Sequence, residues 1–203
     1  MVNDSFLKVS EMPKHKMLIP LEKNTELLAG DVVSEKVMEG SEAITEKTDR
    51  KELALWVQGA MERLDSLVDE ETREKIMENC GYACATVNKR VIDRVKAKRL
   101  KCETIDEFLE AEERKPSRGT RLVRDGKQLH FFYTPRKFYR PMRCYCGLLG
   151  ALPEDLTVSR TYCNCSKGFV RKYWESVLDR PVQVQLKQSA VTGADECEFL
   201  IQY

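Results

Sequence analysis

Apolar residues recur at helical spacing from about residue 49, and this repeat predicts a helix at that point in the chain. Asp49 and Glu52 form a D-x-x-E signal, which is typical of a helix start with a side-chain cap. The apolar positions that follow are Leu53, Trp56, Val57, Ala60, Met61, Leu64, Leu67 and Val68. Their three-and-four spacing places them on one helix face.

A second helical stretch is predicted from about Asp69. Its apolar positions are Ile76, Cys80, Cys84, Val87, Val91 and Val95. Cys80 and Cys84 therefore lie one turn apart on the same apolar stripe. Gly81, between them, is expected to loosen or interrupt the helix, at a cost of about 1 kcal/mol relative to alanine. A third, short helix is predicted from the capping box Thr104 to Glu107.

The period changes after Gly119, where two β-like runs flank the turn residues Asp125 and Gly126. The run FYRPMRCYC at 138–146 is a candidate edge strand, because Pro141 cannot donate to a sheet ladder. A helix is predicted from Phe169 until shortly before Pro181. Alternating apolar residues then predict a closing hairpin: Val182, Val184 and Leu186, followed by Cys197, Phe199 and Ile201.

This order of elements predicts an α+β fold, with N-terminal helices packed on an antiparallel sheet built from two hairpins with an intervening helix. Residues 1–47 show no sustained period, so we expect an extended or partly disordered arm there. Residues 48–203 are expected to form a single α+β domain. Its helical part would span about 48–115, and its sheet and cysteine-rich part about 119–203.

Composition excludes several functional classes. The 203 residues carry 34 Lys and Arg against 33 Asp and Glu, so no basic excess indicates a nucleic-acid partner. No run approaches the roughly 18 to 20 apolar residues of a membrane span, and no signal-peptide pattern is evident. A cytoplasmic protein without a membrane partner is therefore expected.

The chain has eight cysteines and two histidines, so any metal site must use mainly thiolate or carboxylate ligands. Four of the cysteines form two C-x-C pairs: Cys144 with Cys146, and Cys163 with Cys165. In an extended backbone residues i and i+2 point to one side, so each pair could aim both sulfurs at one ion. Zinc takes about four such ligands in a tetrahedron, and we predict a metal bound by some subset of these four.

Other interpretations of the cysteines stay open. Cys80 and Cys84 are rival or additional ligands, and a mixed site could combine them with part of a C-x-C pair. Free cysteines are also among the most buried residue types, so packing alone could explain all of them. Close thiols could instead form a redox or nucleophilic centre, or hold an iron–sulfur cluster.

A few other residues are candidates for binding a small ligand. His130 is the histidine inside the predicted fold, and it could orient a ligand or assist a cysteine, although a structural role is the simpler interpretation. Arg136, Lys137 and Arg140 follow the first hairpin and could hold an anionic group. No catalytic residue can be assigned from the sequence.

Residues 163–202 resemble the C-terminal part of the 4-vinyl-reductase domain, a member of the superfamily that includes the haem nitric-oxide-binding domain and TRAPP subunits. The matching features are Cys165, Gly168, the run LDRPVQV at 178–184, Gly193, Cys197, Phe199 and Ile201. The resemblance implies a small-molecule-binding α+β module, with zinc in some members and frequent dimerisation, so a homodimer is one option. Ser189 stands where another family cysteine is expected, and the extra C-x-C pairs indicate a cysteine-rich bacterial relative.

These observations lead to three functional hypotheses. The first is a small-molecule-binding or sensor module with a cysteine-coordinated metal, zinc first. The second is a small-molecule hydrolase or reductase that uses a reactive cysteine or a metal-activated water; a weaker similarity of layout to 2-aminothiazoline-4-carboxylate hydrolase-like proteins agrees with it. The third is an iron–sulfur protein.

Overall fold

The structure, a computed structural model, describes residues 13–135 and 144–203 and has an α+β fold, as predicted. Its α-helices within these ranges are α1 (Ile19–Ala29), α2 (Asp31–Val37), α3 (Arg50–Leu67), α4 (Glu70–Val87), α5 (Lys89–Arg99), α6 (Ile105–Arg114) and α7 (Asn164–Leu178). Its strands are β1 (Thr120–Asp125), β2 (Gln128–Tyr133), β3 (Gln183–Gln188) and β4 (Cys197–Gln202).

Side-chain caps fix the starts of three helices where the sequence predicts them. The Asp49 carboxylate accepts a hydrogen bond from the backbone N–H of Lys51 at the start of α3. Asp69 caps α4 through the N–H of Thr72, and Thr104 caps α6 through the N–H of Glu107. A cap depends on residues within one turn, so it is readable from the sequence.

The second predicted helix is two helices, because the chain turns at Asn88 between α4 and α5. Val87 and Val91 are consequently exposed, by 81% and 46%, instead of continuing the predicted apolar stripe. Ile92 and Val95 provide the buried side of α5. Gly81 does not interrupt α4, which runs unbroken through it.

The expected N-terminal arm is wrong from residue 13 onward, because the chain there forms α1 and α2 and packs into the core. Leu18 and Val37 are buried, and the backbone of Lys14 pairs with that of Thr45. With 11 and 7 residues, the two helices are too short to show a sustained period, and the Gly30 between them resets the repeat. Short helices of this kind are stabilised by tertiary packing more than by their own sequence.

The four strands form one antiparallel sheet in the order β1-β2-β4-β3. The first hairpin closes with Gly126, at φ 57°, and Lys127 as its two-residue turn, because Asp125 already pairs with Gln128. Helix α7 separates the two hairpins in sequence and covers the inner face, where Trp174 packs edge-on against Phe131. The predicted two-hairpin sheet with an intervening helix is therefore confirmed.

The cysteine-rich loop before α7 differs from its prediction. Cys144–Cys146 form no strand, and the rest of the proposed edge strand, 138–143, lies outside the described residues. Leu149 and Leu152 bury this loop against the helices. Helix α7 starts at Asn164, before the predicted Phe169, so Cys165 lies in its first turn. No helix in the described ranges is long and apolar enough to cross a membrane.

Candidate functional site

Helices α4 and α7 approach each other closely at two glycines. A Cβ atom added at Gly81 of α4 would overlap the carbonyl oxygen of Cys165 in α7. A Cβ atom at Gly168 would likewise overlap the carbonyl oxygen of Glu78. The crossing therefore requires glycine at both positions, and it brings one face of α4 against the first turn of α7.

Four cysteines meet at this crossing, and we call Cys80, Cys84, Cys146 and Cys165 the thiol cluster. Burial raises the pKa of Cys165 well above its usual value, and the nearby thiols of Cys146, Cys80, Cys84 and Cys144, in decreasing order, raise it further. Burial also raises the pKa of Cys84, with Cys146 the next cause. Helix α4, the cysteine-rich loop and α7 thus each contribute to one cluster.

Hydrogen-bond donors surround three of these sulfurs. The Tyr162 hydroxyl donates to Cys146 Sγ at 3.0 Å. The Asn88 side-chain amide donates to Cys84 Sγ at 3.4 Å, and that of Asn24 in α1 lies 3.9 Å from Cys80 Sγ. Donors to sulfur stabilise a thiolate relative to a thiol, so this surrounding suits sulfurs that lose their protons.

Burial disfavours the thiolate form of several of these cysteines in the metal-free protein. It raises the pKa of Cys80 from 9.0 to about 12, against a smaller lowering by the Asn24 amide. It raises the pKa of Cys144 as well, where the charge of Cys146 is the next cause. None of these shifts is in the direction that makes a cysteine nucleophilic.

The second C-x-C pair is divided between two sites. Cys163 is buried beside Ser189, with Sγ and Oγ 2.8 Å apart. Cys197 also lies beside the Ser189 hydroxyl, and its Sγ accepts a hydrogen bond from the backbone N–H of Ala190 at 3.3 Å. The sequence-based expectation that Cys163 and Cys165 point to one side assumed a strand, but a helical turn carries residues i and i+2 about 200° apart.

The first C-x-C pair is held in a tight turn. The backbone N–H of Cys146 donates to Cys144 Sγ at 3.4 Å, and the carbonyl of Cys146 accepts from the N–H of Gly150. Within 13–135 and 144–203, no group of three or more His, Cys, Asp or Glu side chains is placed so that it could hold a metal ion. The cluster is thus a set of neighbouring thiols and not a preformed metal site.

The other predicted site residues lie elsewhere. His130 is on the outer face of the sheet, opposite Leu129 and Phe131, and its Nδ1 is 2.8 Å from a carboxylate oxygen of Glu198. Arg136, Lys137 and Arg140 lie outside the described residues. Cys102 lies away from the other cysteines, beside the C-terminal end of α5.

A polar groove of about 430 Å³, which no sequence pattern predicted, lies beside the first turn of α7. Arg73, Arg160, Asn164 and Lys167 line it, together with the edge strand β3. The cations are already engaged: Lys167 pairs with Glu78 of α4, Arg73 pairs with Asp65, and Arg160 donates to a backbone carbonyl. The groove and the thiol cluster share one helical turn.

A family model described as a family of unknown function, DUF6144, matches residues 16–202. The chain belongs to this family. No curated protein matches the sequence of this DUF6144 member significantly.

Solved structures similar to this DUF6144 protein are remote. An unliganded Fe(II) H-NOX protein mutant from K. algicida has 13% identity and a TM-score of 0.47 and covers 94% of this chain and 96% of its own. An H-NOX protein from S. oneidensis in the Fe(II)NO ligation state has 15% sequence identity and a TM-score of 0.45. The match covers 94% of this chain and 98% of that one. A trafficking protein particle complex subunit 3 from Naegleria fowleri, covalently bound to palmitic acid, has 18% sequence identity and a TM-score of 0.45. The match covers 77% of this chain and 96% of that one.

Similarities this remote carry no argument about what the DUF6144 chain binds. The resemblance of the C-terminal motif to the 4-vinyl-reductase domain and its superfamily stays a prediction. The histidines of this chain do not fit an internal haem ligand. His15 caps a short N-terminal turn and His130 pairs with Glu198 on the outer face of the sheet.

Proposed function

We propose that this protein is a small-molecule sensor module in which the thiol cluster holds one thiophilic metal ion, with zinc as the first choice. The observation that supports this most is the meeting of four buried or partly buried cysteines from three separate segments. Packing alone needs no such convergence, because any small apolar residue would fill these positions. Four thiolates are a common ligand set of structural zinc.

Zinc would act here by replacing the protons of the thiols. Binding requires thiolates, so each ligand with a raised pKa has to release a proton to the solvent. The donors from Tyr162, Asn88 and Asn24 offset part of the remaining negative charge on sulfur. The bound ion would then tie the cysteine-rich loop to α4 and α7.

The polar groove supports the sensor part of the proposal. Asn164 and Lys167 line the groove, and Cys165 lies between them in the first turn of α7. A ligand that displaces the ion pair of Lys167 with Glu78 would pull on the helical turn that carries a metal ligand. Occupancy of the groove and of the metal site would then be coupled.

The experiment is elemental analysis of protein purified without chelator, combined with thermal unfolding before and after chelation. We expect about one equivalent of zinc and a fall in the unfolding temperature once the zinc is removed. Less than about a tenth of an equivalent of any transition metal, with all thiols of the folded protein freely titratable, would overturn the metal part.

An iron–sulfur cluster is the second candidate, because four cysteines also form its usual ligand set. Anaerobically purified protein would then be brown, with visible absorption and iron in at least twofold molar amount. An enzyme with a reactive cysteine has less support, since burial raises the pKa of Cys80, Cys84, Cys163 and Cys165. One thiol that alkylates far faster than the others at neutral pH would favour it.

A further inference from the structure

The polar groove carries one positive and one negative charge that no other described side chain neutralises. We infer that the groove binds a small zwitterion of the α-amino acid class, with one ammonium and one carboxylate group. Arg160, just before α7, receives the carboxylate, and Glu70 of α4 receives the ammonium. This inference names the ligand class for the sensor part of the proposed function, on which it rests, and it does not require the metal.

The positive charge is Arg160, whose guanidinium lies against the edge of the sheet. Its Nη2 donates to the backbone carbonyl of Leu186 in β3 at 2.7 Å, and both residues line the groove. A guanidinium has five N–H donors in a planar fork, so this bond orients the group and leaves donors for a carboxylate. No carboxylate among residues 13–135 and 144–203 forms an ion pair with Arg160. Arg160 therefore offers an anion a charged and already oriented partner.

The other two cations of the groove are neutralised within the protein. Arg73 Nε lies 3.2 Å from a carboxylate oxygen of Asp65. Lys167 pairs with Glu78 of α4. An anion bound to Arg73 or Lys167 has to compete with an existing ion pair, whereas one bound to Arg160 does not. The groove is therefore suited to one carboxylate rather than to a ligand with several anionic groups.

The negative wall of the groove is the start of α4. Glu70 and Glu74 are four residues apart on this helix, so they share one face, and both line the groove. Glu74 has Lys167 Nζ at 3.8 Å from its carboxylate. Glu70 has no ion-pair or hydrogen-bond partner for its side chain within the described part of the chain. The Glu70 carboxylate is thus available for a cationic group of the ligand.

A buried amide on α7 adds an acceptor to the groove. Asn164 lines the groove and is only 5% exposed. Its Nδ2 donates to the carbonyl of Thr161 at 3.3 Å, and no described residue donates to its Oδ1. A buried acceptor gains from a donor, and an ammonium group has three N–H donors to offer. Asn164 together with the α4 carboxylates therefore fits an ammonium better than a second anion.

The size of the groove suits such a ligand. Its volume of about 430 Å³ is within the range of small-molecule sites, roughly 300 to 1,000 Å³. Val184 and Leu186 of β3 add apolar surface for a ligand side chain. An ammonium beside Glu74 competes with Lys167 for that carboxylate. It therefore acts on the ion pairs of Lys167, which lies in the same helical turn as Cys165.

The test begins with a thermal-shift screen of the full-length chain against the standard amino acids, glycylglycine, acetate and ethylamine. Calorimetric titration then compares the best amino acid with its analogue lacking the amino group and its analogue lacking the carboxyl group. We expect a dissociation constant of about 1 mM or lower for the amino acid. Each analogue should bind at least about tenfold more weakly, because it lacks one charged hydrogen-bonding group. Tighter binding of glycylglycine would support the same zwitterion chemistry and identify a peptide as its source.

Charge variants locate the two groups. Arg160→Gln should weaken binding of the amino acid by at least about tenfold and should weaken its des-amino analogue as well. Glu70→Gln should weaken only the amino acid, to about the affinity that the des-amino analogue has for the parent chain. Glu71→Gln is the matched control, since Glu71 shares the first turn of α4 and does not line the groove. Arg94→Gln, on the exposed side of α5, is the control for the cation. Both controls should bind within about threefold of the parent chain.

The outcomes separate the inference from the proposed function. If the parent chain binds the amino acid and its des-amino analogue equally, or acetate or ethylamine as tightly, the zwitterion assignment is wrong and the groove remains a small-molecule site. If nothing in the panel binds, the inference fails, and the zinc content still decides the metal part. These comparisons use the unaltered chain, so a misfolded variant cannot hide a failure. Equal effects of Glu70→Gln and Glu71→Gln would overturn the role of Glu70.

Discussion

The α-carbon of Gly81 in α4 lies directly against the carbonyl oxygen of Cys165 in α7, with no room between them for a side chain. This contact makes two helices that are distant in sequence share one cysteine cluster. The reciprocal contact, Gly168 against the Glu78 carbonyl, fixes the same crossing one helical turn further along α7. The position of the candidate site therefore depends on backbone packing as much as on cysteine spacing.

Replacing Gly81 by alanine should destabilise the protein by about 3 kcal/mol or more, because the new methyl group forces α4 and α7 apart. Urea unfolding followed by circular dichroism measures the change. Gly59, in the middle of α3, is the matched control. An added Cβ there meets the flexible side chain of Arg63 at 3.2 Å, so Gly59→Ala should be neutral or stabilise by up to about 1 kcal/mol. Equal effects at both positions would contradict the tight crossing.

Alkaline pH should destabilise the metal-free protein. The folded chain keeps the proton of Cys80 up to a pKa of about 12, whereas an unfolded chain releases it near 9.0. Above pH 9 the unfolded state therefore binds fewer protons, and the free energy of unfolding falls as pH rises toward 12, by at most about 1.4 kcal/mol per pH unit for each such thiol. Urea unfolding at several pH values measures the slope.

The slope of the free energy of unfolding against pH between 9 and 12, rather than the stability at any one pH, shows which thiol is responsible. It should become shallower in Cys80→Ala and stay unchanged in Cys102→Ala, because Cys102 lies outside the cluster. A slope that is independent of Cys80 would show that this thiol is not held in its protonated form by burial.

In the proposed metal site Tyr162 would act as a positioning residue, and Tyr162→Phe should weaken zinc binding by about tenfold through loss of the donor to Cys146. Competition with a chromophoric chelator measures the affinity. Tyr82→Phe is the control, since the Tyr82 ring packs under Arg171 and Lys172 on α7. The tyrosine assignment would be wrong if both variants bound zinc as the parent chain does.

Leu149 should anchor the cysteine-rich loop independently of any metal. Its side chain is fully buried in the cluster that α1 to α4 form, so Leu149→Ala should cost about 2 to 5 kcal/mol in metal-free protein. Leu27→Ala, at a position that is 77% exposed, should change stability by less than about 0.5 kcal/mol. A small effect at Leu149 would mean that the loop depends on the metal for its attachment.

Features that depend on neighbouring residues were predictable from the sequence. Asp49, Asp69 and Thr104 cap helices within one turn, and Gly126 supplies the positive φ of a two-residue hairpin turn. The helices α1 and α2 were missed because their burial depends on contacts with α3 and α4 rather than on a long repeat of their own.

The candidate site was only half predictable. All of its cysteines were named as candidates, but spacing could not show that Cys163 and Cys165 separate, because that depends on α7 starting at Asn164. A signal did exist in the sequence. Gly81 adjoins Cys80 in the second predicted helix, and Gly168 follows Cys165 by three residues directly before the predicted helix start at Phe169. Paired glycines of this kind indicate close helix contact only once both helices are known to face each other.

The most direct test of the proposed metal site is X-ray absorption at the zinc edge on full-length protein purified without chelator. We predict one zinc ion with four sulfur neighbours at about 2.3 Å and no nitrogen or oxygen ligand. A spectrum with two or fewer sulfurs, or protein that contains no zinc at all, would contradict the four-thiolate site.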